Sequence, residues 1–159
     1  MRDFLNDCRS IETIASQIYQ QLAGDPNYAM EVRSVFRSLC NDERDHARQF
    51  DLILQTAEHE LDALNRISAE QVEAALQMAK SMAATLDRRR LSEEEALRLA
   101  VEMEQRFLNV HVHNTLHFDN QRLAALFNDL GRYDEGHVDQ LRQCLQWWHA
   151  VRKPQLRNH

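Results

Sequence analysis

The chain has 159 residues, of which 43% are hydrophobic and 28% charged, which suits one domain with a core of its own. Its formal charge of −6 gives no electrostatic reason to expect nucleic acid or an anionic membrane as partner. Three Gly and two Pro are little punctuation, so most of the chain should be helix, and no CxxC pair exists among Cys8, Cys40 and Cys144 to hold zinc or iron.

Scattered cysteines fit a reducing, cytoplasmic setting. The start MRDFLNDC lacks the apolar run of a signal peptide, and no stretch approaches the ~20 apolar residues of a membrane span. The basic run Arg88-Arg89-Arg90 is followed at once by Glu93-Glu94-Glu95, which reads as a loop and a helix start.

A first helix is expected from about Asp3 to Ala23, with the stripe Leu5, Cys8, Glu12, Ala15, Tyr19 and Leu22. Gly24 supplies a stop, and Asp25-Pro26 a cap and first turn for the next helix. That second helix carries Val32, Phe36, Leu39, Glu43, His46, Phe50 and Ile53 on one face. Everything there is core material except a carboxylate and an imidazole at its middle. A charge in such a place is costly unless something pairs with it. The helix should continue into the 50s or 60s, where Glu58-His59-Glu60 falls off the stripe and reads as surface.

Residues 66–91 read as a helical crossover, with a capping box at Ser68 and Gln71 and a weak apolar face of Val72, Leu76, Ala79 and Ala83. Gln77 and Met78 need only a packing role. Ser92 with Glu95 opens a third long helix, whose stripe is Leu97, Ala100, Glu104, Phe107 and His111. A break is expected near Phe118-Asp119-Asn120. The fourth helix then carries Leu123, Phe127, Leu130, Asp134, His137, Leu141, Cys144 and Trp148. The domain should span 1–151, with a frayed tail over 152–159.

A repeat runs through these stripes. Glu12 and Glu43 are 31 positions apart, Glu104 and Asp134 are 30 apart, and each second carboxylate is followed at i+3 by a histidine. Each pair straddles a helix reversal, so at ~1.5 Å of rise per residue both members return to one level. The expected architecture is therefore an all-α, up-down-down-up four-helix bundle with four carboxylates and two imidazoles in a single layer. Buried carboxylates with no Lys or Arg on their stripes repel one another, and a pair of metal ions removes the difficulty. One Glu from each of two helices and Glu-x-x-His from each of the others is a known di-iron pattern. A lone ExxH means little; the repeat, with a Glu centred on a stripe ~30 residues before each histidine pair, is specific.

These residues carry a resemblance to the ferritin-like superfamily, and within it to the rubrerythrin-type domain. It rests on Ile11-Glu12 with Tyr19 and Leu22-Ala23, on Asp25-Pro26, and on Phe36 with Asn41-Asp42-Glu43-Arg44-Asp45-His46-Ala47. It continues through Ala100-Val101-Glu102-Met103-Glu104, Leu126-Phe127 and Asp134-Glu135-Gly136-His137, and covers about residues 5–148. The resemblance implies two iron ions, with manganese or zinc as alternatives, held by Glu12, Glu43, His46, Glu104, Asp134 and His137. Glu43 and Glu104 would bridge. It implies an oxidoreductase acting on peroxide, dioxygen or ferrous iron, a separate electron-donor protein, and a homodimer.

Two departures stand out. Asp134 occupies a place where the family has Glu, one methylene longer, and Glu135 points about 100° away on the helix. Phe107 stands where rubrerythrins carry a further carboxylate, and the chain has no cysteine-held rubredoxin module. They keep a second reading open: a helical metal-binding or interaction module with a degenerate site and no turnover. Glu104 is preferred to Glu102 because it lies on the stripe. Tyr19 and His111 hold equivalent places one step from the layer and are assigned to hydrogen bonding around it, while His113 and His117 read as surface or helix end. Trp147 and Trp148 read as core or interface.

Overall fold

The computed structural model describes residues 2–56, 69–115 and 121–157. Its elements are α1 (Arg2–Gly24), α2 (Met30–Thr56), α3 (Ala69–Arg88), α4 (Glu93–Thr115) and α5 (Gln121–Trp147). A π-helical turn, Trp148–Arg152, then leads directly into α6 (Lys153–Arg157). No strand occurs among the described residues. The protein is an all-α, ferritin-like helical bundle.

Helix α1 packs along α2, and α4 along α5; the two hairpins meet where α2 faces α5, and α3 lies against α1 before leading into α4. The 3.6-residue periodicity decides which side each helix buries. On α1, Leu5, Cys8, Ile11, Ala15, Ile18, Tyr19 and Leu22 are all buried. Val32, Phe36, Leu39 and Phe50 do the same for α2, and Leu97, Ala100, Phe107 and Val110 for α4. On α3 the expected face is present, with Val72, Leu76 and Ala79 buried and Ala75 and Met82 added to it.

Three local expectations are corrected. Gly24 is still helical and no described residue has positive φ, so α1 ends without a left-handed cap. Asp25 and Pro26 belong to the turn and not to α2: the Asn27 amide donates to Asp25 Oδ1 at 2.9 Å and the Tyr28 amide to the Asp25 carbonyl at 3.2 Å. Residues 153–157, expected to fray, are helical, and Arg152 and Lys153 pair with Glu93 and Glu94 at 3.2 and 3.3 Å. The sequence of that tail looked weak because Pro154 suggests a break, yet the π-helical turn Trp148–Arg152 runs straight into α6, with the Lys153 amide donating to the Trp148 carbonyl. Ser68, the Glu58–Glu60 run, His117 and the break at 118–120 lie outside the described residues.

The ends of the hairpins are tied by Glu93. It is buried, and its carboxylate accepts from the Ala29 amide at the start of α2, from Trp148 Nε1 at 2.9 Å and from Arg152 Nε at 3.2 Å. The Ser92–Glu95 capping box forms as the spacing predicts, the Ser92 amide donating to Glu95 Oε2 at 2.9 Å. Arg90 donates twice to Asp25 at 2.6 Å, joining the α3–α4 link to the α1–α2 turn. These contacts fix the level at which the four long helices enter the layer described next. No described helix is long and apolar enough to cross a membrane.

Candidate metal centre

The layer is built from four helices. Helix α1 supplies Glu12, α2 supplies Glu43 and His46, α4 supplies Glu104, and α5 supplies Asp134 and His137. All six are buried, the carboxylates at 0% exposure. Each lies on an apolar stripe, so the folding force that buries its neighbours carries it inward as well. Glu102 and Glu135, the off-stripe neighbours, are exposed.

The donor atoms converge in two groups. Glu12, Glu43 and His46 form one, and Glu43, Glu104 and His137 the other. Glu43 belongs to both: its Oε2 lies 3.0 Å from His46 Nδ1 and its Oε1 lies 3.1 Å from His137 Nδ1. His46 Nδ1 is also 3.6 Å from Glu12 Oε2, and His137 Nδ1 is 3.2 Å from Glu104 Oε2. Asp134 is in neither group. Its Oδ2 lies 2.5 Å from His111 Nδ1, on α4, and the other face of that imidazole, Nε2, is 3.4 Å from Glu12 Oε1.

Tyr19 and His111 both touch the layer. The Tyr19 hydroxyl donates to Glu104 Oε1. Burial and the neighbouring Glu104 charge push that phenol well above its ordinary range, which keeps the proton on oxygen. Two further residues went unread in the sequence. Asp42 Oδ2 lies 3.3 Å from His137 Nε2, and the Tyr133 ring sits 5.2 Å from the His46 ring. Asp42 and Tyr133 each immediately precede a layer carboxylate. The repeat itself could have found them, because that position faces the imidazole of the opposite helix. The side chains of His113 and His117 lie outside the described ones.

The electrostatics are those of a crowded acid site. Burial, then the Glu43 charge, raises Glu12 well above the ordinary carboxylate range and Glu104 to about 7. Burial acts the same way on Glu43, but its close approach to Glu12, His137 and His46 outweighs it and holds that carboxyl well below its usual range. Burial alone would lower both histidines; hydrogen bonding to Glu43 raises His46, and Asp42, Glu104 and Glu43 raise His137.

A bound cation fits this arrangement. Glu12 Oε1 and Oε2, Glu43 Oε1 and Asp134 Oδ1 are buried and have no hydrogen-bond partner among the described residues. Glu43 Oε1 is near His137 but not aligned to accept from it. Buried carboxylate oxygens without donors are expensive, and hard cations supply what they lack. Oxygen and imidazole donors suit iron, manganese or zinc.

The family model described as Rubrerythrin matches residues 3–145. No curated protein and no solved structure matches the chain. The match takes in every residue of the layer and nearly the whole of the four helices that supply them, and the chain belongs to the rubrerythrin family.

Proposed function

We propose that this rubrerythrin-family protein is a di-iron oxidoreductase that reduces peroxide or dioxygen, or oxidises ferrous iron. The observation that carries the reading is Glu43, which turns one oxygen to each of two histidines on different helices, at 3.0 and 3.1 Å. A carboxylate so placed could serve both metal positions. Glu12 and His46 would complete one metal position, Glu104 and His137 the other, and Asp134 would add its charge beside them. When bound, two ferrous ions would supply the two electrons that, with two protons, turn peroxide into two waters.

The chain's own groups hold protons where that chemistry needs them. Glu104, raised to about 7, and the Tyr19 hydroxyl hydrogen-bonded to it form a buried acid pair at the metal layer. Phe36, Phe50, Phe107 and Phe127, all buried, keep bulk water from the layer. Cys8, Cys40 and Cys144 are buried thiols placed far apart along the chain, so reducing equivalents for repeated turnover would come from a separate protein. A second reading, a bundle that binds metal without turnover, draws on the exclusion of Asp134 from both donor groups.

The test is anaerobic loading with ferrous iron followed by peroxide. Two irons per chain and rapid growth of near-ultraviolet ferric absorption are expected. Two bound irons with no ferric absorption would sink the oxidoreductase reading and leave the binding module.

A further inference from the structure

The layer is closed on most sides. Tyr19 stacks on Phe36 toward one end of the bundle and Phe50 meets Phe127 toward the other, all four buried. Helix α3 packs against both α1 and α4 and so roofs the seam between them. No described helix covers the opposite seam, between α2 and α5, in that way. On that side two half-exposed residues touch the histidines of the layer. Asp42, with 41% of its side chain exposed, sets Oδ2 3.3 Å from His137 Nε2, and Tyr133, 53% exposed, lies with its ring 5.2 Å from that of His46. The two imidazoles are themselves neighbours, stacked at 5.8 Å. One turn from Tyr133 and next to His137, α5 carries the exposed Gly136, where a Cβ would meet nothing within 4 Å. Tyr133 also borders a cavity of about 390 Å³, lined among the described residues by Asp129, Arg132 and itself.

Resting on the di-metal reading above, we propose that metal ions enter and leave the layer through the α2–α5 seam, with Asp42 as the carboxylate that meets them first and Tyr133 as the gate. A hydrated divalent cation gives up water only where oxygen or nitrogen donors replace it. The phenyl rings that close the ends of the layer offer none. The seam offers a series. Asp42 is open enough to hold a cation that keeps part of its hydration shell. His137 stands between it and Glu43, with Asp42 Oδ2 at 3.3 Å from Nε2 and Glu43 Oε1 at 3.1 Å from Nδ1. One imidazole thus spans the distance from a half-exposed carboxylate to the buried carboxylate that both donor groups share. Tyr133 covers the other imidazole, whose Nε2 is buried and has no hydrogen-bond partner among the described residues. A half-exposed ring in that position can swing aside without breaking a hydrogen bond to the histidine, and the cavity beside it has room to receive it. Gly136 keeps the neighbouring surface clear, since a larger side chain there would extend into the open space beside His137.

A group met only along the way changes uptake and release by one factor and leaves the affinity alone, whereas a group that holds the bound ion changes the affinity. The two are separated with cobalt(II). Full-length protein stripped with chelator is mixed with cobalt, uptake is followed by the visible absorption of the bound ion, and release is followed after adding excess chelator. Gly136→Leu fills the opening and should slow both by about tenfold or more; Tyr133→Ala should speed both by about as much, each with unchanged cobalt affinity. Gln143→Leu, exposed on the same stripe two turns further along α5, should match the unmodified protein. Asp42→Asn should slow uptake. Unchanged rates of uptake and release in both Gly136→Leu and Tyr133→Ala would overturn the port while the di-metal site stands. Should the leucine disturb His137 and shift the affinity, Tyr133→Ala decides alone. If the unmodified protein binds no cobalt, iron, manganese or zinc, the di-metal reading fails and takes this one with it.

Discussion

Replacing Glu104 by Gln should stabilise the metal-free protein at alkaline pH and leave it unchanged in acid. Glu104 is fully buried, and burial together with the Glu43 charge raises its carboxyl from 4.5 to about 7. A carboxyl raised in the folded state contributes stability below its unfolded pKa, and that contribution is lost as pH rises through the folded one. A rise from 4.5 to about 7 corresponds to on the order of 3 kcal/mol. Metal-free wild type should therefore lose stability of that order from this group between about pH 4.5 and 8. Glutamine has the same shape, keeps an oxygen for the Tyr19 hydroxyl, and does not titrate. In a chain of this size 3 kcal/mol moves the melting temperature by about 6–12 °C. The assay is thermal and urea unfolding of chelator-treated protein at pH 5 and pH 8. Wild type should fall between the two, and the variant should fall less by about that amount; Glu12, raised in the same direction, keeps some slope in both. Parallel pH profiles for the two proteins would refute the reasoning, because Glu104 would then ionise in the fold at no cost.

Metal loading should invert that dependence: it expels protons from Glu12, Glu104 and the histidines, so affinity should rise with pH and calorimetry in two buffers should record proton release. Metal binding with no net proton release would contradict it. Asp42→Asn removes the ionised acceptor of His137 Nε2 at a half-exposed position, so metal binding at that half should weaken about 10- to 100-fold while stability changes by less than about 1 kcal/mol. Glu93→Ala strands the buried Trp148 N–H and the Ala29 amide, and should cost about 3 kcal/mol in urea unfolding and expose the α6 tail to protease. A loss under 1 kcal/mol would mean that water replaces the carboxylate.

The fold was readable because burial and periodicity coincide in this chain. Glu12, Glu43, Glu104 and Asp134 each interrupt an otherwise apolar stripe, and the structure buries all four completely. Spacing then placed them at one level, since a helix converts residue count into height at a fixed rate. What spacing does not encode is which oxygen faces which nitrogen. The pattern treats Asp134 as the counterpart of Glu43 by symmetry, yet the structure sets its carboxylate on His111 and leaves it outside both donor groups. Glu93 was hidden for a different reason. It stands in an acidic run at a helix start, where exposed carboxylates are ordinary, and only the return of Trp148 and Arg152 to that point gives it a buried role.

The two halves of the site also differ in how their histidines are held. Asp42 and Tyr133 occupy the same register, each one residue before a layer carboxylate. His137 Nε2 has the Asp42 carboxylate at 3.3 Å, so its ring orientation and tautomer are fixed and its donor nitrogen is made more basic. His46 has the ring of Tyr133 beside it instead, and its buried Nε2 has no hydrogen-bond partner among the described residues. A metal position resting on Glu12 and His46 alone would thus carry the less firmly oriented imidazole. On that side the Asp134 carboxylate is taken up by His111, with Oδ2 2.5 Å from Nδ1, so the two halves surround their imidazoles with different chemistry.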